Sequence, residues 1–224
     1  MPLVQHALRE LHVKLVYYGP GLGGKTTNLE HIHQQTRPER RGKLISLMTE
    51  AERTLFFDLL PLELGSFKGY RVRLHLCTVP GQIALDTTRQ LVLRHVDGVV
   101  FVADSQPGRG ADNVQSFRNL ETNLRLQGDD LAVMPLVLQF NKRDLPGARS
   151  VAALREELDV RRGVPEIEAS AVTGVGVFET LKAVTKAALR RVGTPDALPE
   201  GQVAPAPPAA DAPTDRHQVK PEAP

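Results

Sequence analysis

A glycine-rich octad near the start of the chain, Gly19-Pro20-Gly21-Leu22-Gly23-Gly24-Lys25-Thr26, constrains the fold more than any other feature. It fits G-x-x-x-x-G-K-[ST], a loop whose backbone N–H groups wrap a phosphate. In such a loop Lys25 neutralises the outer phosphate oxygens and the Thr26 hydroxyl binds Mg²⁺. Glycine is needed because a Cβ would hold the backbone away from the anion. A strand must precede the loop and a helix must follow it, so that the helix N-terminus adds its positive end to the site. Both are present: Val13–Gly19 (VKLVYYG) is an apolar run, and a helical pattern runs from Lys25 to about Gln35, with Thr27 in its first turn. Alone, the motif indicates a nucleoside triphosphate site and no particular base.

The same strand–helix alternation continues along the chain. Tyr70–Val79 alternates, with Val72, Leu74 and Leu76 on one face and Arg71, Arg73 and His75 on the other, the pattern of a half-buried strand. Gly98–Asp104 (GVVFVAD) and Pro135–Asn141 (PLVLQFN) are near-continuous apolar runs, as expected of central parallel strands covered on both faces. Between them, Ala111–Gln127 carries Val114, Phe117, Leu120 and Leu124 at helical spacing. A strand at Glu166–Ser170 and a helix over about Val177–Val192 complete the series. Five or six strands with helices between them predict an α/β domain: a doubly wound, mostly parallel sheet with helices on both faces.

Composition changes sharply near Gly193. Eight of the 17 prolines lie between Pro195 and Pro224, with many alanines and no aromatic residue. Such a segment buries too little apolar surface to offset its ordering entropy. The expected organisation is therefore a domain over 1–192 and a disordered Pro/Ala-rich tail over 193–224. The tail holds five acids and two bases, which leaves 26 bases against 21 acids in 1–192. A net charge of +2 for the whole chain predicts no nucleic-acid partner. The single cysteine, Cys77, excludes an internal disulfide framework and reads as a packed small residue. The N-terminus lacks an uninterrupted apolar segment, and no run approaches the roughly 20 apolar residues of a membrane helix. Pro2 and the terminal Glu222-Ala223-Pro224 fit no lipidation motif, so a cytoplasmic protein without a direct membrane anchor is expected.

The base is read by a second motif. Asn141-Lys142-Arg143-Asp144 follows the PLVLQFN strand, at the carboxyl end where ligands of open α/β sheets bind, and about 115 residues after the phosphate loop. An Asp in this place accepts both the N1–H and the exocyclic amine of guanine. Adenine offers an acceptor at N1 and no 2-amino group, so a site built on Asp144 rejects it by about 10⁴. Lys142 supplies an aliphatic stem to lie over the base, with its head reaching back toward the phosphate loop.

With the phosphate loop, NKRD and Glu168-Ala169-Ser170-Ala171 after the next strand, the chain resembles the Ras-like GTPase superfamily. That resemblance implies GTP/GDP as ligand, Mg²⁺ as cofactor, and a guanine carbonyl touched by the backbone at Ser170-Ala171. VYYGPGLGGKTTNL, ISLMTEAERTLFFDLLP, TVPGQ, GVVFVADSQ, NKRDLP and TGVGVFETLKAV narrow it to the MglA family, bacterial Ras-like GTPases of cell polarity and gliding motility. The similarity covers about residues 10–192 and omits the tail.

The third element departs from the superfamily. Most small GTPases have Asp-x-x-Gly, whose Asp reaches Mg²⁺ through a water; here the string is Thr78-Val79-Pro80-Gly81. A Thr hydroxyl holds such a water without supplying charge, so the residues alone leave open weaker Mg²⁺ binding or a GTP-binding scaffold that does not hydrolyse. The resemblance favours activity, since Thr at this place is characteristic of the MglA group. It further implies that Gln82 orients the attacking water, that Gly81 offers its N–H to the γ-phosphate, and that Thr54 closes on Mg²⁺ beside Thr26. Arg53 resembles an intrinsic arginine finger, though its position among Glu50 and Glu52 also suits a solvated loop charge. Leu44–Leu64 would be the bistable segment, a Roadblock-domain partner of the MglB type would stimulate hydrolysis, and partners would recruit the protein to a cell pole. Ala84 and Leu85 stand where members of the family carry aromatic residues, which leaves a paralogue with another partner open. His31 and His33 lack ligand-type neighbours and read as a solvated helix face. Arg71, Arg73 and His75 are either a partner surface or simply exposed.

Overall fold

The computed structural model describes residues 2–48, 54–81, 85–161 and 163–192. Arg53, Gln82, Ala84 and the expected tail at 193–224 lie outside the described residues.

Among the described residues eight strands form one sheet: β1 Leu3–Gln5, β2 Glu10–Tyr18, β3 Ile45–Met48, β4 Thr54–Phe67, β5 Tyr70–Thr78, β6 Gly98–Asp104, β7 Leu136–Asn141 and β8 Glu166–Glu168. Five α-helices accompany it: α1 Lys25–Gln35, α2 Asp86–Leu93, α3 Gly110–Leu126, α4 Val151–Leu158 and α5 Val177–Arg191. The strand order is β3-β4-β5-β2-β6-β7-β8, with β1 added antiparallel to the start of β2. β5, β2, β6, β7 and β8 run parallel, and their carboxyl ends share one edge. That edge carries the phosphate loop, the Asn141 motif and the Ser170-Ala171 turn.

The sheet separates two apolar layers, and β2 shows how the pleat assigns residues to them. Val13, Leu15 and Tyr17 join a cluster with Leu29 and Ile32 of α1 and Leu181, Val184 and Ala188 of α5. Val16 and Tyr18 join the opposite cluster with Leu93 of α2, Leu120 and Leu124 of α3 and Leu154 of α4. All seven residues of β6 and all six of β7 are buried, as runs without alternation require. Each fully buried Leu, Val or Phe in these layers contributes about 1.5–3 kcal/mol relative to exposure.

Two parts of the sheet were not foreseen from periodicity. β1 has three residues, too few for a pattern to register. β3 and β4 form an antiparallel hairpin on the edge beside the parallel strands. β4 contains Pro61, which ordinarily argues against a strand. The Pro61 carbonyl accepts from Gly42 N–H at 2.9 Å, on the side away from β5. The missing N–H therefore faces the same outer side, beyond the last β3 partner, Ile45 opposite Leu59, and the β5 ladder loses nothing. The last strand is also shorter than expected, ending at Glu168 rather than Ser170.

The polar face of β5 is neither bare nor simply exposed. Arg73 ion-pairs with Glu10 at 2.9 Å and with Glu63 at 3.3 Å. His75 stacks on His12, with ring centroids 5.3 Å apart and planes 13° apart. Burial, together with the charges of His12, Lys14 and Arg73, pushes His75 down to about 4, so the His75 ring is neutral at physiological pH. Burial likewise pushes the Cys77 thiol up to about 11, which leaves it inert as a nucleophile. His31 lies edge-on to the Phe178 ring, with centroids 6.2 Å apart.

Candidate functional site

The phosphate loop leaves β2 at Tyr18 and enters α1 at Lys25, as the octad requires. Gly23 N–H donates to the Pro20 carbonyl at 3.2 Å, closing the loop. Gly24 caps α1 in the left-handed region, with φ of 96°. A Cβ there would lie 2.2 Å from Asn141 Nδ2, so glycine is required both by conformation and by space. Leu22 also has positive φ, 62°, and is exposed. Beneath the loop, Asn28 and Gln139 exchange side-chain hydrogen bonds at 2.9 Å, and Gln139 also donates to Thr180 at 3.0 Å. This buried amide network fixes α1 to β7 and α5.

Lys25 is 6% exposed, and its ammonium donates to the carbonyls of Gly19 at 2.9 Å and Pro20 at 2.7 Å. Burial lowers its pKa to about 7; Arg89 and Arg109 add to the depression while Asp58 opposes it. An amine depressed this far takes up its full charge when an anion arrives among the loop's N–H groups, which makes the pair a receptor for one.

Asp58 of β4 is a carboxylate that motif reading missed. It is fully buried, and its oxygens accept from three hydroxyls: Thr26 at 2.7 Å, Thr78 at 2.7 Å, and Ser46. Thr78 Oγ1 in turn accepts the Asp58 N–H at 2.9 Å. The pairing of Leu59 with Cys77 puts Asp58 opposite Thr78, on the next strand. The charge absent from position 78 is thus supplied one strand away. Among the described residues no Lys or Arg ion-pairs with Asp58, although a buried carboxylate ordinarily has such a partner. An all-oxygen set of Asp58, Thr26 and Thr78 beside the phosphate loop fits a hard divalent cation such as Mg²⁺. Thr54 opens β4, four residues before Asp58.

The Val79–Gly81 segment lies directly on the phosphate loop. A Cβ on Gly81 would come within 2.3 Å of Gly21 Cα and 2.5 Å of Gly21 N. Leu85, the described member of the pair that departs from the aromatic pattern, precedes α2. Asp86 at the start of α2 accepts from Arg89, Asn119 and Asn123 at 3.0, 3.0 and 2.9 Å, which pins this helix to α3.

Asn141 joins the three loops of the edge. Its Nδ2 donates to the Gly23 carbonyl at 2.8 Å, and its Oδ1 accepts the Ala171 N–H at 2.9 Å. The N–H assigned by resemblance to a guanine carbonyl is therefore engaged by Asn141 in this structure. Ser170 and Ala171 are both 3% exposed, whereas Asp144 is exposed at the mouth of the edge. Lys142 differs from the sequence expectation. Its ammonium does not reach the phosphate loop but binds Asp104 at 2.8 Å and Gln106 at 2.6 Å.

The family model of the ADP-ribosylation factor family matches residues 3–188. Over 189 residues the chain is 56% identical to the mutual gliding-motility protein MglA of Myxococcus xanthus, covering 84% of this chain and 96% of that protein. It is 29% identical over 193 residues to elongation factor 4 of Sorangium cellulosum, covering 80% of this chain and 30% of that protein. It is 36% identical over 113 residues to the GTPase Obg of Syntrophomonas wolfei, covering 49% of this chain and 26% of that protein. The last two are longer proteins, of which the matched part is less than a third.

Proposed function

The chain belongs to the MglA-like small GTPases within the ADP-ribosylation factor family, and from that premise we propose that it binds GTP and GDP with Mg²⁺, hydrolyses GTP, and switches between two surfaces as it does so. The observation that carries the reading is Asn141, whose one side chain ties the phosphate loop at Gly23 to the base-side turn at Ala171. A triphosphate and its base are thereby received by a single pre-organised edge, at low ordering cost.

Each residue then has a task. The N–H groups from Gly21 to Thr27 gather the β-phosphate at the N-terminus of α1, where the helix dipole adds to them. Lys25, released from the Gly19 and Pro20 carbonyls, neutralises the β and γ oxygens. Thr26, Thr54 and Asp58, with Thr78 beside them, hold Mg²⁺, which when bound neutralises charge building on the phosphate oxygens. Gly81 presents its N–H to the γ-phosphate, and Gln82 orients the attacking water. Arg53 lays its guanidinium on the phosphoryl group as the segment around β3 and the start of β4 closes. Asp144 reads guanine, and Lys142 covers one face of the ring.

The segment packed on Gly21 supports the switching part of this reading. A γ-phosphate needs space where Gly81 now touches the loop, so the segment must yield to GTP and can return after hydrolysis. A Roadblock-domain protein of the MglB type is the proposed activator, acting at the surface that carries Leu85. The motility role named for the Myxococcus relative is the proposed process, with recruitment to a cell pole through partners. Among the described residues no helix is long and apolar enough to cross a membrane.

Single-turnover phosphate release tests the hydrolytic reading. Gln82→Ala is expected to slow release by about 10²-fold, the cost of a misplaced nucleophile. Equal rates in wild type and variant, with and without a Roadblock-domain protein, would instead describe a GTP-binding scaffold.

A further inference from the structure

Asp104 stands between the base side and the phosphate side of the edge. It is 1% exposed, and its Oδ2 receives the Lys142 ammonium at 2.8 Å and the Arg109 Nε at 3.4 Å. Its backbone is fixed, since Asn113 accepts the Asp104 N–H and donates to the Asp104 carbonyl, both at 2.9 Å. The other carboxylate oxygen accepts Gln106 N–H at 3.0 Å. From this fixed hub Arg109, in the turn before α3, reaches back 88 residues and donates through Nη2 to the Gly21 carbonyl at 2.6 Å. Its remaining arm ion-pairs with Asp112.

We propose that Arg109 is a positioning residue of the phosphate loop, coupling the base side to the γ-phosphate end through the chain Lys142–Asp104–Arg109–Gly21. The peptide unit following Gly21 is planar and trans, so its C=O and the Leu22 N–H point in opposite directions. Pinning the carbonyl on Arg109 fixes the direction in which that N–H is presented. Leu22 sits at φ of 62°, a conformation unfavourable for leucine. An external hydrogen bond is what such a loop needs to keep its shape. Gly21 marks the γ end because Gly81 packs against it. Lys142, which the motif alone would send to the loop directly, acts on it through two intermediaries, Asp104 and Arg109.

The inference rests on the guanine-nucleotide reading, and the experiment separates the two. Dissociation of fluorescent GDP and of a non-hydrolysable GTP analogue would be measured in Mg²⁺ for the full chain and for Arg109→Met and Arg109→Lys. Arg109→Met keeps the stem and loses charge and donor. It is expected to release the GTP analogue about tenfold faster, the size of one charge-assisted hydrogen bond, and GDP about threefold faster or less. Arg109→Lys, with a single donor to Gly21, is expected to stay within about threefold of wild type for both. Unchanged rates in Arg109→Met overturn the inference, as does an equal acceleration of both nucleotides accompanied by a lowered Tm, which marks a merely structural role. A wild type that retains neither nucleotide overturns the guanine-nucleotide reading, and this inference with it.

Discussion

Asp144→Asn is expected to lower affinity for GTP by about 10⁴ while raising affinity for xanthosine triphosphate. Guanine presents two donors, N1–H and the 2-amino group, and a carboxylate accepts both. An amide offers one acceptor and one donor, so its NH₂ would face the guanine amine and leave both groups desolvated and unpaired. Xanthine carries an oxygen at that position, which the amide NH₂ satisfies. Asp144 is exposed and lies beyond the end of β7, so its replacement leaves the apolar layers intact and the effect falls on recognition. Competition against fluorescent GDP by GTP and by the xanthine nucleotide measures the exchange of preference. Retention of the wild-type order of affinities would place base recognition on other residues.

The second large effect is expected at Asp58. Asp58→Asn removes a buried charge and substitutes an NH₂ for one of the oxygens now facing the hydroxyls of Thr26, Thr78 and Ser46. The Mg²⁺ concentration needed to hold GDP is expected to rise by about 10–100-fold, the usual cost of disrupting a carboxylate that supports a metal site. Adding Thr78→Asp to that variant returns a carboxylate to the adjacent position across the β4–β5 ladder, where the superfamily pattern has one, and is expected to recover a large part of the loss. The readout is release of labelled GDP across a Mg²⁺ titration. A midpoint that does not move in Asp58→Asn would remove this residue from the metal's surroundings.

What the sequence disclosed of the site was local. The octad and NKRD announce themselves because the chemistry of each is contained in consecutive residues, and the apolar runs of β2 and β7 placed the two motifs at strand ends. Asp58 was illegible for the opposite reason. Its relation to Thr78 is a matter of register between neighbouring strands, and sequence spacing does not carry register. A signal was nonetheless present, since a single acid inside the apolar string LFFDLL is costly unless it has a task. Arg109 was hidden in the same way, its partner Gly21 lying far away in sequence. Lys142 shows a motif fixing a residue's neighbourhood but not its hydrogen bond, because Asp104, from another strand, offers a nearer acceptor than the phosphate loop. The β3–β4 hairpin escaped periodicity because Pro61 interrupts a strand whose missing donor falls harmlessly outside the ladder.

The switch reading makes guanine nucleotide, and no other, the ligand of this edge. Equilibrium competition on the full wild-type chain in Mg²⁺ measures this most directly, with GTP, GDP and ATP each displacing a fluorescent guanine nucleotide. The account predicts displacement by GTP and GDP, with ATP weaker by about 10⁴. Displacement by ATP at the same concentration as GTP would contradict it.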